Sequence, residues 1–296
     1  MNSVTGKLEK LGRTLMHEHL TIDLSANKNE DASLNDEEAI VEDLKEIRNA
    51  GIDTIVDVTN RGMGRDIRKM AILSKASNIN VIASTGYYKT PYLPDEVRSK
   101  NYKELAGIMI SEIREGIDGT GIKAGLIGEI GTSNIFTEEE EKVFMAACYA
   151  HNETGTPIYT HTTMGKLAIE QLQFLKRNGV NLSKVIIGHI DLNPDMDYYS
   201  RILDYGCFVG FDTIGKLNYQ PDKLRAENIL RLVDMGYRDR IVLSLDITRK
   251  SHLKRYGGYG HGYIMNTFIP MLLKNGLKQE DIDNMLIENP ARIFLT

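Results

Sequence analysis

The chain has 296 residues, of which 42% are hydrophobic and 26% charged, and a net charge of -5. That length fits one large α/β domain or two small ones, since single barrels reach this size. The negative balance argues against a nucleic-acid partner, and the absence of a long apolar run argues against a membrane span.

The opening MNSVTGKLEK lacks the apolar core of a signal peptide, and Cys148 and Cys207 are the only cysteines. The expectation is a cytoplasmic protein with two reduced thiols. The first apolar stretch, TLMHEHL over 14–20, reads as a short buried strand. Its alternation puts His17 and His19 on one side and Glu18 on the other. A helix near 35–50 leads to the strand DTIVDVTN, one over 65–77 to NVIASTGYY, and one over 102–116 to AGLIGEIG. Thr137 is suited to cap a helix running to His151, with Glu140 completing a capping box. PIYTHT is the fifth strand. Helices over 166–178, near 197–205 and over 222–235 precede VIIGHID, FVGFDT and IVLSLD. Helices over 263–274 and 279–288 follow, with Pro290 as the stop signal of the second.

Eight βα units without a linker, an internal repeat or a low-complexity segment predict a single-domain (β/α)8 TIM barrel over 1–296. A doubly wound sheet would usually show a Gly-rich phosphate turn after an early strand, and the GGYG at 257–260 comes only after strand eight. Barrel active sites lie at the C-terminal ends of the strands. There, Glu129, His161, His189 and Asp246 end strands four, five, six and eight and join His17 and His19 of strand one. Hydrogen bonding in the core would account for any one of them. Six converging on one mouth, two of them carboxylates that must be paired or metal-bound when buried, point to cations. Four histidines and two carboxylates suit two divalent ions with one carboxylate bridging. Zn2+ is the first choice, with Mn2+, Co2+ and Ni2+ as alternatives.

HEH on strand one, THT on strand five, GH on strand six and LD on strand eight resemble the phosphotriesterase family of the amidohydrolase superfamily, and within it the phosphotriesterase homology proteins. The resemblance extends through GEIGTS, DTIGK, DITRKSHLK, GGYG, TFIP and ENPARIF, nearly the whole chain. It implies that His17, His19 and Asp246 hold one metal, that His161 and His189 hold the other, and that Glu129 bridges them. In the founding phosphotriesterase a carboxylated lysine bridges, and this sequence departs from that. Its nearest lysine, Lys123, shares the strand parity of Glu129 but lies six residues earlier. At about 3.3 Å per residue that is roughly 20 Å away, at the opposite end of the barrel. The departure leaves the substrate open, since the homology proteins are not expected to share the triesterase activity.

Two cations about 3.5–4 Å apart acidify a shared water and polarise a carbonyl or phosphoryl oxygen, so the expected chemistry is metal-assisted hydrolysis. Asp246 is the catalytic candidate, carrying the nucleophile's proton to the leaving group. Lys216 after strand seven and Arg249 and Lys250 after strand eight are candidate anion contacts, because barrels often bind phosphate there. Tyr87 and Tyr88, and Arg61 and Arg65, are further contacts or scaffold. His252 and His261 are candidates for the pocket lining, and His151 reads as structural. The sequence therefore favours a lactonase or carboxylic esterase acting on a small sugar lactone, phosphorylated to suit the basic rim. A phosphoester is the runner-up. A barrel that binds metal and ligand without turnover stays open, although it needs no proton shuttle. A metal-free isomerase or aldolase would leave four histidines idle. The expected partner is a small molecule, with neither nucleic acid nor membrane, and a homodimer is allowed.

Overall fold

Short runs of three to seven residues, most of them apolar and buried on both faces, form the eight parallel strands of one sheet. They are β1 (Thr14–Glu18), β2 (Thr54–Asp57), β3 (Asn80–Thr85), β4 (Leu126–Thr132), β5 (Ile158–Thr162), β6 (Val185–Gly188), β7 (Phe208–Phe211) and β8 (Ile241–Leu243). Each pairs with its neighbour in chain order, as a right-handed βα succession requires. The computed structural model describes residues 1–25 and 29–295. Helices Glu37–Asn49, Ile67–Ser77, Tyr102–Arg114, Glu138–Thr154, Ala168–Arg177, Met196–Leu203 and Asp222–Asp234 connect the strands within a few residues of the expected bounds. The Thr137–Glu140 capping box is present. No described helix is long and apolar enough to cross a membrane.

The barrel closes between β8 and β1 mainly through side chains, with one backbone hydrogen bond beside them. His17 N donates to Ser244 Oγ at 3.0 Å, and Asp246 N donates to the His17 carbonyl at 3.3 Å. Glu18, fully buried, accepts from Ser244 Oγ (2.7 Å), Leu245 N (2.8 Å) and Ile247 N (3.1 Å). The residue between the two histidines thus faces the seam, as the alternation requires.

β1 and β4 each carry a register shift, between Leu15 and Glu18 and between Ile127 and Ile130, where three steps of one strand oppose two of its neighbour. Such bulges re-aim side chains beside active sites. At β4 the bulge needs Gly128, since a Cβ there would lie 2.3 Å from the Tyr159 carbonyl. One consequence is that strand parity does not carry from Lys123 to Glu129. Lys123 precedes β4 and shares a groove with the N-terminal hairpin of Asn2–Ser3 and Gly6–Lys7, which is held to the start of β3 by Val4 N→Val81 O.

Pro290 does not stop the last helix. Gln279–Asp283 widens into a π turn over Asn284–Glu288 and continues through Asn289–Leu295. The same device precedes Pro270, where a π turn over Ile264–Phe268 runs into Ile269–Lys274. A proline ring collides with the carbonyl four residues back in an α-helix, and bonding at five residues relieves that collision.

Candidate metal centre and its pocket

The six expected ligands meet at the C-terminal mouth. His17 and His19 come from the end of β1, Glu129 from the β4 bulge, His161 from β5, and His189 and Asp246 from the turns after β6 and β8. His189 and Asp246 take left-handed backbone at φ 56° and 54°, a region non-glycine residues seldom occupy and one that clusters at functional sites.

Glu129 stands between two groups of imidazoles. Its Oε1 lies 3.5 Å from His19 Nε2, and its Oε2 lies 3.6 Å from His17 Nε2, 3.1 Å from His161 Nδ1 and 3.4 Å from His189 Nε2. Asp246 Oδ1 lies 3.2 Å from His19 Nε2 and 3.6 Å from His17 Nε2. Donor atoms of His17, His19 and Asp246 fall within 4.8 Å of one another, and so do those of His17, Glu129 and His189. His161 sits at the edge of the second group, its ring centroid 4.5 Å from that of His189.

Both ring nitrogens of His17 and Nε2 of His19 are buried without a hydrogen-bond partner. Buried nitrogens of this kind are normally satisfied, and a cation would satisfy the two Nε2 atoms, while His17 Nδ1 lies 3.5 Å from Asp212 Oδ2. The donor set therefore fits divalent ions of the kind that imidazole and carboxylate prefer. Burial alone would raise the Glu129 and Asp246 carboxyls. The imidazoles, His17 foremost, hold Glu129 well below the usual range, and Lys216, His17 and His19 do the same for Asp246. His19, although burial opposes it, is pushed up to about 9 by those two carboxylates. Burial and the neighbouring His189 bring His161 down to about 4. The carboxylates thus demand compensating positive charge, which protons on imidazole or bound cations can supply.

The imidazoles are held from behind. His19 Nδ1 is 2.9 Å from Thr59 Oγ1, and His189 Nδ1 is 2.8 Å from Asp212 Oδ1, whose Oδ2 accepts the Tyr159 hydroxyl at 2.7 Å. These contacts leave Nε2 of His19 and His189 facing the centre, as outer partners of metal-bound histidines do. The Asn60 amide donates to the Glu129 carbonyl at 2.6 Å. Sequence reasoning missed Asp212, though a carboxylate following a buried strand is the same signal that found Asp246.

A pocket of 260 Å3 opens over Glu129, His161, His189 and Asp246, walled by Tyr88, Lys89, Tyr92, Met164, Lys216, Tyr219 and Arg249. Lys216 is only 6% exposed, and its ammonium is paired with Asp246 Oδ2 and lies 3.4 Å from Thr248 Oγ1. It is a buried partner of the centre and not a rim charge. Arg249 and Lys89 line the pocket with no carboxylate within 4.0 Å among the described residues. Lys89 was not among the expected contacts. The Tyr88 hydroxyl stands 3.3 and 3.4 Å from the two His161 nitrogens.

Tyr87 and Lys250 are not brought to the pocket. Tyr87 is fully buried, and since successive side chains at a strand end face opposite ways, Tyr88 takes the inward place. The Lys250 ammonium lies 4.5 Å over the Tyr256 ring, and the residue lines a separate hollow with Asp23, Glu30 and Asp31. His261 is buried beside Asp43, and His252 packs on Tyr259. His151 bonds the Thr156 carbonyl at 2.8 Å in a structural role.

The model of the phosphotriesterase family matches residues 1–294. The chain belongs to the phosphotriesterase family. It is 47% identical over 285 residues to the phosphotriesterase homology protein of Escherichia coli, covering 96% of this chain and 98% of that one. The crystal structure of that relative, complexed with phosphate in its active site, superposes with a TM-score of 0.95 at 46% identity over 97% of this chain and all of the other. A lactonase from Listeria monocytogenes superposes at 0.94 with 31% identity, over 99% and 98% of the two chains. The N-acetyltaurine hydrolase of Danio rerio is 32% identical over 99% of this chain and 97% of its own. Members of the family are hydrolases and typically hold two metal ions, and this phosphotriesterase-family chain has groups suited to both.

Proposed function

We propose that this protein is a binuclear metal hydrolase that opens a small lactone or carboxylic ester bearing an anionic group. The observation that carries the reading is one pocket lined by four of the six candidate ligands, Glu129, His161, His189 and Asp246, and by Arg249, a guanidinium with no carboxylate within 4.0 Å among the described residues. Two ions bound by His17, His19, Asp246, Glu129, His161 and His189 would supply an acidified water and an electrophile for the carbonyl oxygen. Asp246 sits between the imidazoles and the pocket and moves the nucleophile's proton to the leaving oxygen. Arg249 offers a planar fork to a phosphate or sulfonate. Met164 and Tyr219, both exposed at the mouth, bound a space suited to a small ligand.

A second reading, an acyl amide with an anionic tail, is favoured by the N-acetyltaurine hydrolases among the relatives. The test is proton release by Zn2+- or Mn2+-loaded protein on sugar lactones with and without phosphate, simple esters, an N-acyl aminosulfonate and a phosphotriester, with His189→Ala as the blank. Turnover led by phosphorylated lactones and lost in the blank supports the first reading. Preference for the aminosulfonate replaces it with the second. Silence on both with two metals bound overturns both.

A further inference from the structure

We propose that Lys89 is a specificity residue for a carboxylate on the substrate, received on the β3 wall of the pocket and apart from the cations after β7 and β8. The inference rests on the hydrolase reading above and narrows its substrate to a lactone or ester with a carboxylate next to the bond that is cleaved. In the ring of eight strands β3 stands four from β7, so Lys89 and the β7 loop face each other across the mouth.

The backbone that carries Lys89 is fixed on both sides. Gly131 N donates to the Tyr88 carbonyl at 2.9 Å, Thr90 N to Glu140 Oε1 at 3.1 Å, and Tyr92 N to the Lys89 carbonyl at 2.8 Å. The side chain is half-buried and lines the pocket, with Nζ 5.4 Å from the centroid of the Tyr88 ring, within reach of its π face. Gly131 sets it beside the candidate centre. A Cβ on that glycine would come 3.1 Å from Lys89 Cβ and 3.2 Å from His161 Cβ, so bare backbone lets the two side chains stand next to each other. The positive charge of Lys89 is felt at His161.

The carboxylates whose charge reaches Lys89 are Glu129 and Glu140, and the fold engages both elsewhere. Glu140 Oε1 accepts Thr90 N and Ser133 N at 3.1 Å each, and its Oε2 accepts Thr137 N at 3.1 Å. Glu129 stands among the imidazoles of His17, His19, His161 and His189, and cations held there would claim its charge as well. An ammonium that has lost part of its water to the pocket wall and gained no counter-ion favours an anionic ligand. Its compact single charge matches a carboxylate, which needs no planar fork. A neutral group of the same shape leaves it unpaired.

Two measurements on Zn2+-loaded, full-length protein test this. In steady state, γ-butyrolactone-γ-carboxylate is compared with its carboxamide, neither of them phosphorylated. The carboxylate is expected to lead in kcat/KM by about tenfold or more in the parent protein and in Arg249→Ala, the scale of one charged hydrogen bond. In Lys89→Gln the ratio falls below about threefold, and in Lys89→Arg it stays above about threefold. No preference in the parent, a preference that survives in Lys89→Gln, or one that vanishes in Arg249→Ala overturns the assignment. In the second measurement, cyclopentanecarboxylate and cyclopentanecarboxamide, which cannot be hydrolysed, are titrated by ligand-observed NMR. The carboxylate is expected to bind about tenfold tighter than the carboxamide in the parent and within about threefold of it in Lys89→Gln. A carboxylate taken up by the metals keeps its advantage in Lys89→Gln, and that result overturns the proposal. If Lys89→Gln does not fold, Lys89→Met is read by the same ratios. Absence of turnover on both lactones counts against the lactonase reading instead, and the titration still judges Lys89.

Discussion

Two clusters of basic side chains stand at the same end of the barrel, and the fold treats them in opposite ways. Arg61 and Arg65, after β2, are enclosed by carboxylates. Arg65 donates twice to Glu112 at 2.7 Å, and Arg61 reaches Glu96 at 2.7 Å and Glu112 at 2.9 Å. Asp118 lies 3.5 Å from Arg65, and Thr85 Oγ1 completes the shell of Glu112 at 2.6 Å. After β7 and β8 the carboxylate beside Lys216 belongs to the candidate metal centre, and Arg249 has none within 4.0 Å among the described residues. A cation whose anion is supplied by the fold is scaffold, and one left without is available to a ligand.

Substitutions can break or sharpen this contrast. On the pocket side, Asp246→Asn should lower kcat by about 10²–10⁴-fold, the usual contribution of a positioned acid–base group, with a folded far-UV spectrum retained. On the scaffold side, Glu112→Gln should cost about 3–5 kcal/mol of stability in denaturant titration, because it leaves buried guanidinium charge uncompensated, with KM unchanged. Its pH dependence is specific. Burial would raise the Glu112 carboxyl, but Arg65, Thr85 and Arg61 hold it below its ordinary 4.5. A depressed carboxylate stabilises above its unfolded pKa and loses that contribution as pH falls through the folded one. The parent protein should therefore lose stability below about pH 4.5 more steeply than Glu112→Gln, as acid melts would show.

Arg249→Ala should raise KM about tenfold for a phosphorylated lactone, within the range of a charged hydrogen bond, and leave the unphosphorylated lactone unchanged. Equal effects on both would erase the distinction between the clusters. The smallest effect belongs to Tyr87→Phe, which should leave KM unaltered and move stability by about 1 kcal/mol or less. A KM change there would bring Tyr87 back into the pocket.

The barrel was legible because its strands are buried on both faces and read as short apolar runs between amphipathic helices. The convergence of the six candidate ligands was legible for the converse reason, as polar groups placed where such runs end. Local interruptions were not. The β4 bulge defeats the parity comparison of Lys123 with Glu129, although Lys123 does lie toward the other end of the barrel. The π turns before Pro270 and Pro290 remove the stop that a proline signals. Charge partners were not legible either. That Arg65 meets Glu112, 47 residues away, and Lys216 meets Asp246, 30 away, is decided by which strands the barrel sets side by side.

The Glu18 seam has a consequence for how the molecule assembles. The carboxylate in β1 and the amides it binds at Leu245 and Ile247 are separated by 227 and 229 residues. His17 and His19 flank that carboxylate, and Asp246 lies between those amides. The first of the candidate metal-binding groups to leave the ribosome therefore wait for the last strand, and such long-range closure is slow. Assembly of the whole candidate centre is in effect a certificate that the ring has shut. A chain arrested before β8 carries four histidines and Glu129 of the candidate centre and lacks both Asp246 and the closure that would hold His17 and His19 against it.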